Sequence, residues 1–91
     1  MARVTVRMFS ALREAAGDSS VWLEADDIAQ LLSRLKSKYG SPISGLVDLY
    51  LSDPDSLVIL INGRNSGPSK TLHIKLSDGD EVALFPPVSG G

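Results

Sequence analysis

Asp27-Ile28-Ala29-Gln30-Leu31-Leu32-Ser33-Arg34-Leu35-Lys36-Ser37-Lys38-Tyr39-Gly40-Ser41-Pro42 decides the fold class of this 91-residue chain. Ile28, Leu31, Leu32, Leu35 and Tyr39 recur at helical spacing and make one apolar stripe. Asp27 offers an N-cap oxygen, and Gln30, three residues on, completes a capping-box-like pattern. Gly40 stands where a helix ends, and Pro42 blocks its continuation. A helix with a single apolar stripe must lay it on another layer, and the flanking segments supply strands.

On the N-terminal side, Val4, Val6 and Met8 alternate with Thr5, Arg7 and Phe9, the period of a half-buried strand. If the first set faces the helix, Phe9 lies on the open side. Ser10 to Ser20 reads as a loop that turns at Gly17-Asp18. Val21 and Leu23 alternate with Trp22 and Glu24 in a second strand, the partner in a hairpin, with Trp22 as a partly buried edge residue.

On the C-terminal side, Ile43 to Leu51 suits a short helix that Ser44 could cap, and Ser52-Asp53-Pro54-Asp55 is a turn. Leu57-Val58-Ile59-Leu60-Ile61 is a continuous apolar run, expected as a strand buried on both faces. Asn62-Gly63 is a turn signal, and Arg64 to Lys70 is a polar loop. Leu72 to Leu76 is expected as a short strand or extended segment. Ser77-Asp78-Gly79-Asp80 is a tight turn with positive φ at Gly79. In the last strand Val82 and Leu84 face the helix, which places Phe85 on the open side with Phe9. The expectation is an α+β roll over residues 1–85: a mixed sheet of about five strands with one main helix across one face. Its first and last strands lie side by side, and its central positions go to the most apolar segments.

Composition narrows the function. The net charge is −2 with both signs interspersed. Arg34, Lys36 and Lys38 form the only small basic cluster, at a helix end where cations complement the dipole. With neither a basic stripe nor an aromatic platform, nucleic acid is not an expected partner. No apolar run approaches the roughly 20 residues that span a bilayer, and Met1-Ala2-Arg3-Val4-Thr5 enters a strand pattern with no secretory h-region. The expectation is a cytoplasmic protein without a membrane partner. The chain has no cysteine, which excludes disulfides, thiolate metal sites and a cysteine nucleophile. Its one histidine, His73, cannot build a metal site alone and sits in an alternating stretch with its polar members facing solvent. No bound metal or cofactor is expected.

After Phe85 come Pro86-Pro87-Val88-Ser89-Gly90-Gly91. Proline fixes φ, so Pro86-Pro87 should project residues 86–91 from the body as a tail. Gly90 and Gly91 lack a Cβ and could thread a narrow channel. The group at the tip is an α-carboxylate. Phe9 and Phe85, the only two phenylalanines, would form an exposed aromatic patch near the tail's root, the kind of surface that marks a partner site.

The segment from Leu76 to Gly91 resembles the C-terminus of the molybdopterin synthase small subunit, one of the ubiquitin-like β-grasp sulfur carriers. Val4 to Gly17 resembles that family's opening strand and Leu-Arg-Glu loop, and Leu60-Ile61-Asn62-Gly63 is similar to its middle strand ending in Asn. The resemblance implies a β-grasp roll and a carrier subunit that is not itself catalytic. An E1-like adenylyltransferase would use ATP to adenylate the carboxylate of Gly91. A sulfur donor enzyme would convert it to a thiocarboxylate. The tail would then enter the synthase large subunit, which holds the catalytic residues, and pass sulfur to a cyclic pterin precursor to build the molybdopterin dithiolene. Gly90 would give clearance in the partner's tunnel, behind Pro86, Pro87, Val88 and Ser89. Phe9 and Phe85 match family positions that contact partner enzymes. The stretch between Asn62 and Leu72 is longer and more polar than in many members, and it lacks an evident counterpart of the family's apolar contact just after the Asn. A protein modifier joined through Gly91 to target lysines would share the activation chemistry, and a thiamin-pathway sulfur carrier shares the fold but typically lacks Pro-Pro-Val. A plain binding module would leave the tail unmodified.

Overall fold

The stripe on the central helix dictates what the sheet must present. In a computed structural model that describes residues 1–65 and 71–85, the elements are β1 (Ala2–Met8), α1 (Ala11–Ala16), β2 (Ser20–Ala25), α2 (Ile28–Tyr39), α3 (Ile43–Ser52), β3 (Val58–Ile61) and β4 (Glu81–Phe85). Single 3-10 turns lie at Pro54–Ser56 and Thr71–His73. The sheet order is β2-β1-β4-β3. β1 and β4 are parallel neighbours, and the two outer pairs are antiparallel. This is the mixed sheet of a ubiquitin-like β-grasp, with first and last strands adjacent as expected.

α2 follows its sequence closely. The Asp27 carboxylate accepts the Gln30 N–H at 2.8 Å, and the Gln30 side chain accepts the Asp26 N–H at 2.6 Å. Ile28, Leu31, Leu32 and Leu35 are buried, and Tyr39 is half-buried at the stripe's end. They meet Val4, Val6, Met8, Val82 and Leu84 from the two central strands in one core. Leu35→Ala removes a fully enclosed side chain from this contact, so we expect it to cost about 2–5 kcal/mol, read as a lower urea midpoint at unchanged slope.

Several expectations need correction. The Ser10 to Ser20 loop contains α1, too short for a periodic signal, held by burial of Leu12 and closed by left-handed Gly17 whose N–H reaches Arg13 O. The helix after Pro42 is real, but it starts at Ile43 without a side-chain cap from Ser44. The sheet has four strands among the described residues, because Leu72 to Leu76 spends its main-chain groups elsewhere. Ile74 O accepts the Ile28 N–H and the Leu76 N–H donates to Asp26 O, so this segment ties down the start of α2 and contributes one isolated bridge, Asp27 to Lys75. Leu57 to Ile61 is not central: β3 is an edge strand with Ile59 buried and Val58, Leu60 and Ile61 half-exposed. The centre goes to β4, whose parallel partner β1 demands it. Trp22 is 59% exposed rather than partly buried. It alternates with Val21, Leu23 and Ala25 and so falls on the open face, under the Arg3 guanidinium at 4.5 Å from the ring centre.

His73 is exposed, as expected. Residues 66–70 of the polar loop and the whole tail, 86–91, lie outside the described residues. No helix among the described residues is long and apolar enough to cross a membrane.

Candidate functional site

Parallel pairing of β1 with β4 brings the C-terminal ends of both strands to the same end of the sheet. Met8 stands beside Leu84, and the next residue of each strand is a phenylalanine. The Phe9 N–H donates to Leu84 O at 3.3 Å. The two rings stack face to face, with centroids 4.3 Å apart and planes 8° from parallel. Both side chains are half-buried. The alternation thus brings together the two site residues that lie within the described chain.

Local backbone geometry supports this placement. Ser10, directly after Phe9, has φ 54° and ψ −128°, a conformation that costs a non-glycine residue energy. It turns the chain sharply into α1 while Phe9 stays on the open face. At the other end of β4, the Asp78-Gly79-Asp80 turn is bound to its neighbours. Asp78 accepts the Arg3 N–H at 2.7 Å, and Asp80 accepts the Ser77 N–H at 2.8 Å and the Asn62 Nδ2 amide at 3.0 Å. The Asn62 Oδ1 accepts the Glu81 N–H at 2.9 Å, and Gly79 has φ 89°. The acids of this turn therefore hold the start of β4.

Asn62 is the hub, with its own φ at 52°, a region asparagine tolerates better than most. Asn62→Ala loses both side-chain bonds and keeps the unfavourable φ, for an expected loss of about 1–3 kcal/mol. Asn62→Gly loses the same bonds but relaxes the backbone, so its melting temperature should fall between the alanine variant and the wild type.

Sequence reasoning missed the rest of the patch. On β3, Val58 stands opposite Phe85 and Leu60 opposite Ala83. Directly opposed residues share a face, so Val58, Leu60 and Ala83 extend the stack into a continuous, half-exposed apolar surface. The signal was present in Leu57 to Ile61, which is apolar at both parities. That pattern fits a doubly buried strand and equally an edge strand with one face left for a partner. Beside the patch, Arg7 lies 5.9 Å from the Phe9 ring centre and 3.7 Å from the Glu81 carboxylate, a surface pair of small energetic weight.

Acid-base chemistry is not concentrated here. Tyr39 and Tyr50, whose hydroxyls are pushed up, lie on α2 and α3, away from the stack. Burial, followed by the hydrogen bond to Asp18, pushes the Tyr39 hydroxyl up to about 12. Burial raises Tyr50 against a lowering hydrogen bond with Thr71. Among the described residues no group of three or more His, Cys, Asp or Glu is arranged to hold a metal ion. Rings, aliphatic side chains and a rim of charge give the open face a half-exposed apolar patch at the C-terminal end of β4.

The profile of the ThiS family matches residues 6–91. Small archaeal modifier protein 3 of Haloferax volcanii is 32% identical over 92 aligned positions, covering 94% of this chain and 96% of that protein. The solution structure of small archaeal modifier protein 1 from Methanosarcina acetivorans superposes with a TM-score of 0.78 at 36% identity, covering 100% of this chain and 98% of that one. A chain in the complex of subunits 1 and 2 of molybdopterin-converting factor from Helicobacter pylori superposes with a TM-score of 0.62 at 26% identity, covering 98% and 99%.

Proposed function

The chain belongs to the ThiS family, and on that premise we propose that it is a carrier whose working group is the terminal carboxylate of Gly91. An E1-like enzyme joins that carboxylate to AMP from ATP, releasing pyrophosphate. A sulfide equivalent from a donor enzyme then displaces AMP and leaves a thiocarboxylate. We propose the large subunit of a molybdopterin synthase as the recipient, with a cyclic pterin precursor accepting the sulfur. The single observation that carries this reading is the Phe9–Phe85 stack. It is an apolar patch that includes Phe85, the residue before Pro86-Pro87-Val88-Ser89-Gly90-Gly91 in the sequence, and a partner gripping that patch would receive the tail. A chain without cysteine would carry sulfur on its only suitable group.

A second reading has its own support. The 32% and 36% identical relatives are small archaeal modifier proteins, and conjugation of Gly91 to lysines would use the same acyl adenylate. The two outlets separate by product. Intact mass of the protein from its native cell should show a sulfur-for-oxygen increase for the carrier, whereas digests of other proteins should show lysines bearing Gly90-Gly91 remnants for the modifier. A terminus left unmodified by ATP and the activating enzyme would sink both.

A further inference from the structure

We infer that the β2 edge, with the α2 wall beside it, is a second docking site that takes an extended peptide with apolar residues and acidic flanks. The inference goes beyond the carrier reading and does not depend on the tail. β2 is a terminal strand of the sheet. The Met8 N–H donates to Ser19 O at 2.9 Å, and Val6 and Val4 stand opposite Val21 and Leu23. The alternation of an antiparallel ladder then turns the main-chain N–H and C=O of Ser20, Trp22 and Glu24 outward. No main-chain hydrogen bond from another described element meets them. Such an edge is a template for a further strand, which proteins usually blunt with proline, a bulge or an inward charge. This edge, Ser20-Val21-Trp22-Leu23-Glu24-Ala25, has no proline, and its inward residues are apolar.

The groove beside the edge indicates what the added strand should carry. It encloses about 410 Å³ and is lined by Trp22, Leu23, Glu24, Arg34, Ser37 and Lys38. Leu23 is a half-exposed apolar floor, suited to alternate side chains of an added strand. Arg34 and Lys38, one helical turn apart, form a cationic wall. Lys36, between them in sequence, is committed to Asp48 at 2.6 Å. Arg34 and Lys38 have no ion pair among the described residues. The Arg34 Nη2 donates to Met1 Sδ at 3.0 Å, a weak acceptor, and its buried Nε has no partner. Glu24 pairs in register with Arg3, so its side chain takes the open face. Among the lining residues, Glu24 is the only acid against this guanidinium and ammonium, neither of which is in an ion pair with it, so the groove keeps an excess of positive charge that favours acidic side chains on the incoming strand. They also disfavour a second copy: antiparallel β2 pairing about a two-fold axis would bring two cationic walls together.

The probe is a fluorescein-labelled peptide with an Ile-Val-Ile-Val core followed by aspartates, added to the full-length protein. The amide signals of Ser20, Trp22 and Glu24 should shift, with polarisation reporting affinity. Arg34→Glu with Lys38→Glu should weaken binding roughly tenfold, and a lysine-flanked peptide should regain affinity for that variant. Glu24→Pro removes an outward donor that β1 does not use, so it should stop binding while the amide spectrum stays dispersed. The inference is overturned if the β2 amides do not move, if shifts fall on Phe9 and Phe85, or if the charge-reversed protein binds equally well. Concentration-dependent shifts of the same amides without peptide would assign the edge to a second copy and overturn it too. None of these outcomes touches the chemistry of Gly91.

Discussion

A chain shortened by Gly91 is expected to keep its stability and to form no thiocarboxylate when given the activating enzyme, ATP and a sulfur donor. The first half follows from the residue removed: glycine has no side chain to bury and stands seven residues beyond Leu84, the last core member among the described residues, so trimming it should move stability by less than ~0.5 kcal/mol. The second half follows from reach. The shortened chain still ends in a carboxylate, now on Gly90, so the chemical group survives. Its position does not, because one extended residue spans roughly 3.3–3.6 Å. Reacting atoms must approach within roughly 3–3.5 Å, and a displacement of about 1 Å already costs on the order of a hundredfold. A body docked by its apolar patch cannot slide inward to recover a full residue. Gly91→Ala keeps the reach and adds only a Cβ, so it should retain part of the yield. Intact mass after a timed reaction separates the three proteins. Wild-type thiocarboxylate yield from the shortened chain would sink the proposal that this carboxylate is delivered by length.

The parts of the fold that were legible in the sequence had one-sided patterns. The α2 stripe and its Asp27 and Gln30 cap are legible from spacing and present in the structure, because a helix buried on one face must repeat at its own period. Alternation in β1 and β4 places Phe9 and Phe85 on the open face for the same reason. Their contact needs a further fact, that the two strands are neighbours, which is expected from the sequence and found in the sheet. The difference lies in what fills the centre: β1 and β4, each with one clean apolar face, rather than the most apolar segment.

The patterns that misled were apolar at both parities or too short to show a period. Leu57 to Ile61 has no polar residue to mark a solvent face, and water and a partner protein are alike missing from a sequence. The run implies burial on both faces, whereas only Ile59 of β3 is buried and Val58, Leu60 and Ile61 are half-exposed. Leu72 to Leu76 alternates like a strand, but its hydrogen bonds serve the entry to α2, a tertiary arrangement with no local mark. α1 owes its place to one buried leucine and a left-handed glycine, a signal that competes poorly with the loop-like residues around it. At Trp22 the parity was read correctly and the burial was not, since a large ring on an open face can rest under a neighbouring arginine.

Truncating either ring of the stack is expected to weaken docking about thirtyfold while leaving a folded protein. Each ring is half-buried, so Phe9→Ala or Phe85→Ala should cost less than the roughly 3–5 kcal/mol of a fully enclosed phenylalanine. The coupling between the rings should be about 1 kcal/mol by double-mutant cycle. A domain of ordinary stability survives that loss. Binding should suffer more, because aromatic anchors at the centre of an interface typically carry ~2 kcal/mol or more each, about a thirtyfold loss of affinity per ring. Leu60→Ala, on the missed part of the patch, should weaken binding less, and Glu81→Ala, a surface charge at the rim, should change mainly the salt dependence. The measurement is affinity for the activating enzyme by calorimetry, beside a urea titration of each variant. If the alanine variants bind normally, the stack is a packing feature of the sheet and the docking reading fails. If affinity falls in step with stability across Phe9→Ala, Phe85→Ala and the buried Leu35→Ala, unfolding explains the loss. The docking surface requires the open-face variants to lose affinity at stabilities where Leu35→Ala still binds.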